Sequence, residues 1–299
     1  MTPEALGRYL EERRLLVDEA LGRFLPEAGD HPKEIHEAVR YSVFAGGKRL
    51  RPILVLAATE SAGGHVERAL SAAAAIELIH TYSLIHDDLP AMDDDYFRRG
   101  RPTCHKVYGE AMAILSGDAL LTQAFILLSG ENPSVPVDVK ARLRVIHEIA
   151  QAAGSKGMVG GQVVDILHED REIDLPTLQY LHTNKTGALI RACLRVGGIL
   201  ASAGPGQMEA LTRYGERIGL AFQIVDDILD LEGSLEALGK RAGSDLRKKK
   251  ATFPALLGIE ESRQRAHHLV EEAKQALRVF GDRRETLEAI ADFVMTRRR

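Results

Sequence analysis

Along most of this chain, hydrophobic residues recur at intervals of three and four with charged residues between them. Residues 3–21 carry Leu6, Tyr9, Leu10, Val17 and Leu21 at a helical period. Pro26, Gly29 and Pro32 interrupt the chain, and a second helix is predicted over 33–44, stopping at Gly46-Gly47. Residues 53–61 are apolar nearly all round, which marks a buried helix. Gly63-Gly64 separates it from a long helix through Ala72-Ala73-Ala74-Ala75-Ile76, Leu78, Ile79, Leu84 and Ile85, which ends at Asp87-Asp88. Further helices are predicted over 107–128, 139–153, 188–200, 258–279 and 283–295, with another starting at Asp174 and Pro176. The clearest helix is 206–231, where Met208, Leu211, Tyr214, Ile218, Phe222, Val225 and Leu229 form one seam. Short alternating runs between turn signals, the mark of strands, are not evident. The fold class predicted is all-α.

Two acidic clusters break the amphipathic pattern. Asp87-Asp88-Leu89-Pro90-Ala91-Met92-Asp93-Asp94-Asp95 sets five carboxylates in nine residues at the end of the most hydrophobic helix. Carboxylates one turn apart, at ~6 Å, repel by about 3 kcal/mol at an effective dielectric near 20, so a cation is expected among them. Pro90 disfavours α geometry at Leu89. On a straight helix Asp87 and Asp93 would point ~240° apart, so only a break there lets them share an ion. The second cluster is a strip beside the 206–231 seam, Gln223, Asp226, Asp227 and Asp230, with Asp226 and Asp230 one turn apart.

Basic and glycine-rich stretches accompany the acids. Gly46-Gly47-Lys48-Arg49-Leu50-Arg51-Pro52 closes one helix and opens the next, as suits an anion site, although it lacks the spacing of a Walker loop. Arg98-Arg99-Gly100-Arg101-Pro102 is predicted as a basic loop, and a second basic loop spans 239–250, including Lys240. Gly160-Gly161-Gln162 allows close backbone approach, with Asp165 following. Lys185-Thr186-Gly187 interrupts helical sequence, where the glycine alone costs about 1 kcal/mol, and predicts a kink. His80 lies two turns from Asp87 on the same face. Glu77-x-x-His80 also resembles half of a di-iron motif, but the only counterpart is Asp165-Ile166-Leu167-His168, and that reading is set aside.

The composition narrows the class. With 39 basic and 43 acidic residues the formal charge is −4, which gives no electrostatic case for nucleic acid. Cys104 and Cys193 fit no metal spacing and are too few for a disulfide scaffold, so a reducing cytoplasm is expected. No uninterrupted apolar run approaches the ~18 residues of a membrane span, and the first residues do not read as a signal peptide. The G-x-S-x-G, H-E-x-x-H and G-x-G-x-x-G motifs are missing. Hard-oxygen acids favour Mg²⁺ and the bases favour diphosphates. The chemistry implied is metal-assisted departure of a diphosphate into an apolar helical cavity.

These motifs, in this order over nearly the whole chain, resemble the trans-isoprenyl diphosphate synthases, and within them the bacterial farnesyl diphosphate synthases with their DDxxxxD first motif. The resemblance implies one all-helical domain over 1–299, a large orthogonal or antiparallel bundle around a deep central cavity. It implies Mg²⁺, three ions per site with Mn²⁺ as a substitute, on Asp87, Asp93 and Asp226, with Asp88, Asp227 and Asp230 beside them. Lys48, Arg51, His80 and Arg99 would bind isopentenyl diphosphate. Arg98, Lys185, Thr186, Gln223 and Lys240 would hold the allylic diphosphate. Ionisation of the allylic C–O bond, attack by the isopentenyl double bond and proton loss to the departed diphosphate would follow. Tyr82, five residues before the first Asp, would limit chain length with Ser83 beside it. A homodimer is also implied. Tyr96-Phe97 departs from the family pattern, and Arg101 receives no role. The competing classes are a geranylgeranyl-forming relative, a terpene cyclase or head-to-head synthase, and a non-catalytic regulatory homologue.

Overall fold

The computed structural model describes residues 1–131, 135–169, 171–240 and 252–297, apart from the side chains of 233–240. The first helices are α1 (Pro3–Phe24), α2 (Lys33–Val43), α3 (Leu50–Ser61) and α4 (Val66–Asp87). A two-residue hairpin, β1 (Phe97–Arg98) and β2 (Arg101–Pro102), leads to α5 (Cys104–Tyr108), α6 (Glu110–Ser129), α7 (Val139–Ala153) and α8 (Met158–Leu167). Then come α9 (Leu175–His182), a π-helical turn (Thr183–Gly187), α10 (Ala188–Leu200) and α11 (Pro205–Lys240). The chain closes with α12 (Phe253–Leu257), α13 (Ile259–Ala276), a 3₁₀ stretch (Leu277–Arg284) and α14 (Glu285–Thr296).

The centre is built from α3, α4, α10 and α11, which pack in the order α4–α3–α10–α11. Residues 52–59 of α3 are all buried, as its all-round apolar sequence requires. Gly197 lets α10 approach closely, because a Cβ there would lie 2.5 Å from the Val55 carbonyl, and Thr59 Oγ1 donates to the Gly197 carbonyl at 3.3 Å. α6 covers α4, while α13 covers α11. Side-chain caps set three of the expected starts: Thr2 accepts from Ala5 N, Asp138 from Ala141 N and Asp174 from Thr177 N.

Four details differ from the sequence expectation. The basic stretch after Tyr96 is a hairpin rather than a loop, because Arg99 (φ 52°) and Gly100 (φ 76°) form a tight left-handed turn. Tyr41 pins it: its hydroxyl donates to the Pro102 carbonyl at 2.7 Å, and the Arg101 guanidinium lies over its ring. The helix expected over 107–128 is split at Gly109 (φ 85°). The expected 258–279 helix ends earlier and passes through the 3₁₀ stretch, whose Gly281 is non-helical. Finally, the 20-residue α6 contains an 18-residue window of mean hydropathy 1.7, enough in length and composition to cross a membrane, with a third of that window buried. The exposed Asp118 interrupts the apolar run, and the inner face of the helix packs on α4.

Candidate active site

α4 stops at Asp87, and the chain turns back on itself. Leu89 N–H donates to the His86 carbonyl, and Asp93 N–H donates to the Asp87 carbonyl at 2.8 Å. Pro90 therefore does what its chemistry predicts: the helix breaks, and two carboxylates six residues apart become neighbours. Burial pushes the Asp87 carboxyl up to about 6; Lys185 opposes that shift, and Asp93 and Asp88 add to it. Among the described residues no cation lies within ion-pair distance of Asp87 or Asp93. A half-buried, mutually repelling pair of oxygen ligands suits Mg²⁺. No three metal-ligating side chains converge into a cage among the described residues.

Asp88 is used differently. It is buried and receives Arg98 bidentately, through Nε at 2.7 and 3.0 Å and Nη2 at 2.6 Å. Burial raises its pKa against that guanidinium. Arg98 thus sits against the first acidic cluster, where an anion held by Asp87 and Asp93 through metal would meet it.

The isopentenyl candidates gather around the turn before α3. Arg51 Nη1 donates to His80 Nε2 at 3.2 Å, and burial, with Arg51 next, drives the His80 pKa well down, so its ring is neutral. Arg51 Nε is buried with no hydrogen-bond partner. Arg99 lies over Gly47, donates to the Gly46 carbonyl and adds to the positive field on His80. Gly47, at φ 125°, has no side chain to block that approach. Lys48 lies 5.9 Å from the centre of the Phe293 ring and in the field of Arg297 and Asp226.

The residue that aims this turn is Arg49, to which the sequence reading gave no role. Its backbone is left-handed (φ 51°), and its buried guanidinium donates to Asp18, Glu77 and the Val43 carbonyl at 2.8, 2.8 and 2.6 Å. Glu77 is therefore the buried counter-ion of Arg49. His168 Nδ1 bonds the Val164 carbonyl and Asp165 takes Lys185, so the structure disposes of the di-iron motif.

The kink expected at Lys185-Thr186-Gly187 is a π turn, a feature that concentrates at functional sites. Gly161 makes room for it: a Cβ there would overlap the Lys185 backbone nitrogen and lie 2.5 Å from its Cα. Gly219 of α11 meets Gly187 on another side, 2.9 Å from an ideal Cβ to the Gly187 Cα. Lys185 Nζ is 2.6 Å from Asp165 and still acts electrostatically on Asp87. Gln162 Oε1 is buried without a partner on the same helix as Gly161. Thr186 on the π turn and Gln223 on α11 are half-buried.

On α11 the three acids separate. Asp226 is half-buried, its pKa raised by burial, and it pairs with Arg297 at 2.7 Å. Arg297 also stacks on Phe222 and donates to its carbonyl at 2.9 Å. Asp230 is exposed. Asp227 is buried, and one oxygen accepts the Phe253 backbone N–H at 2.9 Å and faces His182 Nε2 at 3.2 Å. Through that oxygen Asp227 ties α11 to α9 and α12. Lys240 has a helical backbone, but its side chain and residues 241–251 lie outside the described residues. Tyr82 is buried one and a half turns before Asp87, and Ser83 donates to the His80 carbonyl at 2.9 Å.

Residues 32–290 match the family model described as polyprenyl synthetase. The chain belongs to the polyprenyl synthetase family. It is 48% identical over 290 residues to a geranylgeranyl diphosphate synthase of Cyanophora paradoxa, covering 97% of this chain and 95% of that protein. It is 43% identical over 292 residues to a farnesyl diphosphate synthase of Bacillus subtilis, covering 98% of each. Among solved structures, an apo FPP/GFPP synthase from Zymomonas mobilis superposes with a TM-score of 0.88 at 40% identity, covering 99% of this chain and all of that one. As a polyprenyl synthetase, the chain has one acidic motif at the end of α4 and the other on α11, with the π turn packed against both α8 and α11 and its lysine against α8.

Proposed function

We propose that this prenyltransferase condenses isopentenyl diphosphate head-to-tail with dimethylallyl and then geranyl diphosphate, giving farnesyl diphosphate in a Mg²⁺-dependent reaction. The observation that carries the reading is the fold-back at Pro90, which sets Asp87 against Asp93 in a half-buried acidic cluster beside Arg98. Bound Mg²⁺, with Mn²⁺ as a substitute and three ions in the full site, would neutralise the departing diphosphate. Asp87, Asp93 and Asp226 are the ligands proposed, with Asp88, Asp227 and Asp230 at their flanks.

The protein's own groups do the rest. Arg98, Lys185, Thr186, Gln223 and Lys240 hold the allylic diphosphate, and Lys48, Arg51, His80 and Arg99 hold isopentenyl diphosphate against it. A neutral His80 serves as hydrogen-bond partner without adding charge. The apolar helices keep water from the carbocation, and the departed diphosphate receives the proton. Tyr82 closes the tail pocket at farnesyl length.

A geranylgeranyl product is the second reading, favoured by the name of the 48% identical relative. We also read the chain as a cytoplasmic homodimer. The buried free thiols Cys104 and Cys193 and the exposed Ile114, Leu115 and Ile126 of α6 support this. Incubation with Mg²⁺, dimethylallyl diphosphate and labelled isopentenyl diphosphate tests both product readings. Farnesyl diphosphate as the main product is expected, and absence of any elongated chain would overturn the synthase reading.

A further inference from the structure

His86 precedes the first acidic motif and has no part in the chemistry above. Its ring stands edge-on to the ring of Tyr82, one turn earlier on α4, with centroids 5.8 Å apart and planes at 77°. Its Nε2–H donates to the Ile114 carbonyl of α6 at 3.1 Å. The ring lies in a notch that exists because residue 117 is glycine. A Cβ at Gly117 would overlap Nε2 and lie 2.6 Å from Cδ2 and 2.8 Å from Cε1. Gly117 lies within α6, where glycine is disfavoured relative to alanine. The bare backbone at this position has an occupant, and the occupant is His86.

We infer that His86, anchored on α6 through Ile114 and the Gly117 notch, is a positioning residue for product length that holds Tyr82 across the path of the growing chain. The inference rests on the farnesyl reading above. A side chain that stops a hydrocarbon must resist being pushed into another rotamer. Tyr82 is already buried in the core, and an edge-to-face partner hydrogen-bonded to a second helix further ties its ring to the α4–α6 interface. The two helices pack closely along this line, so the wall stays in place while the tail lengthens. Ser83, by contrast, turns its hydroxyl back to its own helix.

The test is the ratio of geranylgeranyl to farnesyl product, measured with melting temperature alongside for wild type, H86A, H86Q, G117A and the H86A/G117A double variant. Removing the ring should raise the ratio roughly tenfold, the discrimination that one apolar wall contact provides. H86Q, which keeps a donor for Ile114 without the ring, should raise it as well. G117A evicts the ring and should shift the ratio in the same direction, while the double variant should match H86A, since no ring remains to be displaced. An active H86A or H86Q enzyme with an unchanged ratio would overturn the assignment, whatever its melting temperature. So would a G117A effect that persists in the H86A background. A wild type that elongates nothing would remove this inference together with the farnesyl reading. A wild type that yields farnesyl product while its variants keep the same ratio would remove this inference alone.

Discussion

At the scale of single residues, neighbouring acids with the same sequence signature do different work. Asp226 and Asp227 are adjacent, but successive helix positions lie about 100° apart, so they meet different surroundings. Asp226 meets a cation, Arg297, while Asp227 meets a ring and a backbone N–H fixed by the fold. Asp226→Asn should lower kcat about 10²–10³-fold with the melting temperature nearly unchanged. Asp227→Asn should instead cost about 1–3 kcal/mol in denaturant unfolding, because the Phe253 N–H loses a charged acceptor. Equal loss of stability in both variants would contradict this division. Tyr82→Ala should lengthen the product, read directly by chromatography; an unchanged product distribution would remove Tyr82 as the floor. The sequence alone could show Asp226 and Asp230 on one face, but not the partners of Asp227. These come from 45 residues before it and 26 after it in the chain. Arg49 was illegible for the same reason: Asp18 and Glu77 lie 31 and 28 residues away on other helices.

At the scale of elements, long periodic helices could be read because a buried stripe repeats over many turns, as in α1, α7 and α11. What escaped was short or depended on backbone handedness. The hairpin at Phe97–Pro102 is two residues per strand, too short for alternation to register, and the break at Gly109 depends on a positive φ. The π turn could be anticipated as a kink, but its seat against Gly161 could not. The Pro90 fold-back was legible because proline acts on its immediate neighbour. Pro90→Ala should let α4 run on and separate Asp87 from Asp93. Metal affinity, read by Mn²⁺ titration with inorganic diphosphate, should fall about tenfold with folding preserved. Unaltered affinity would show that the fold-back does not depend on the proline.

For the molecule as a whole, the site is held by a core whose helices each carry one part of it. α4 brings the first acids, α11 the second, and α3 the basic turn proposed for isopentenyl diphosphate, while the π turn sits between α8 and α11. Burying carboxylates without cations works against folding, so a ligand that supplies metal and anion together should stabilise the whole structure. Mg²⁺ with inorganic diphosphate at ~100 times its Kd should raise the melting temperature by about 5 °C, and Mg²⁺ alone by much less. A rise with diphosphate alone, unchanged by chelation, would contradict the metal-bridged arrangement.

The most direct measurement is condensation of geranyl diphosphate with labelled isopentenyl diphosphate, run with Mg²⁺ and again after chelation with EDTA. The account predicts labelled farnesyl diphosphate in the first reaction and almost none in the second. No condensation with Mg²⁺ present, or undiminished condensation after chelation, would contradict it.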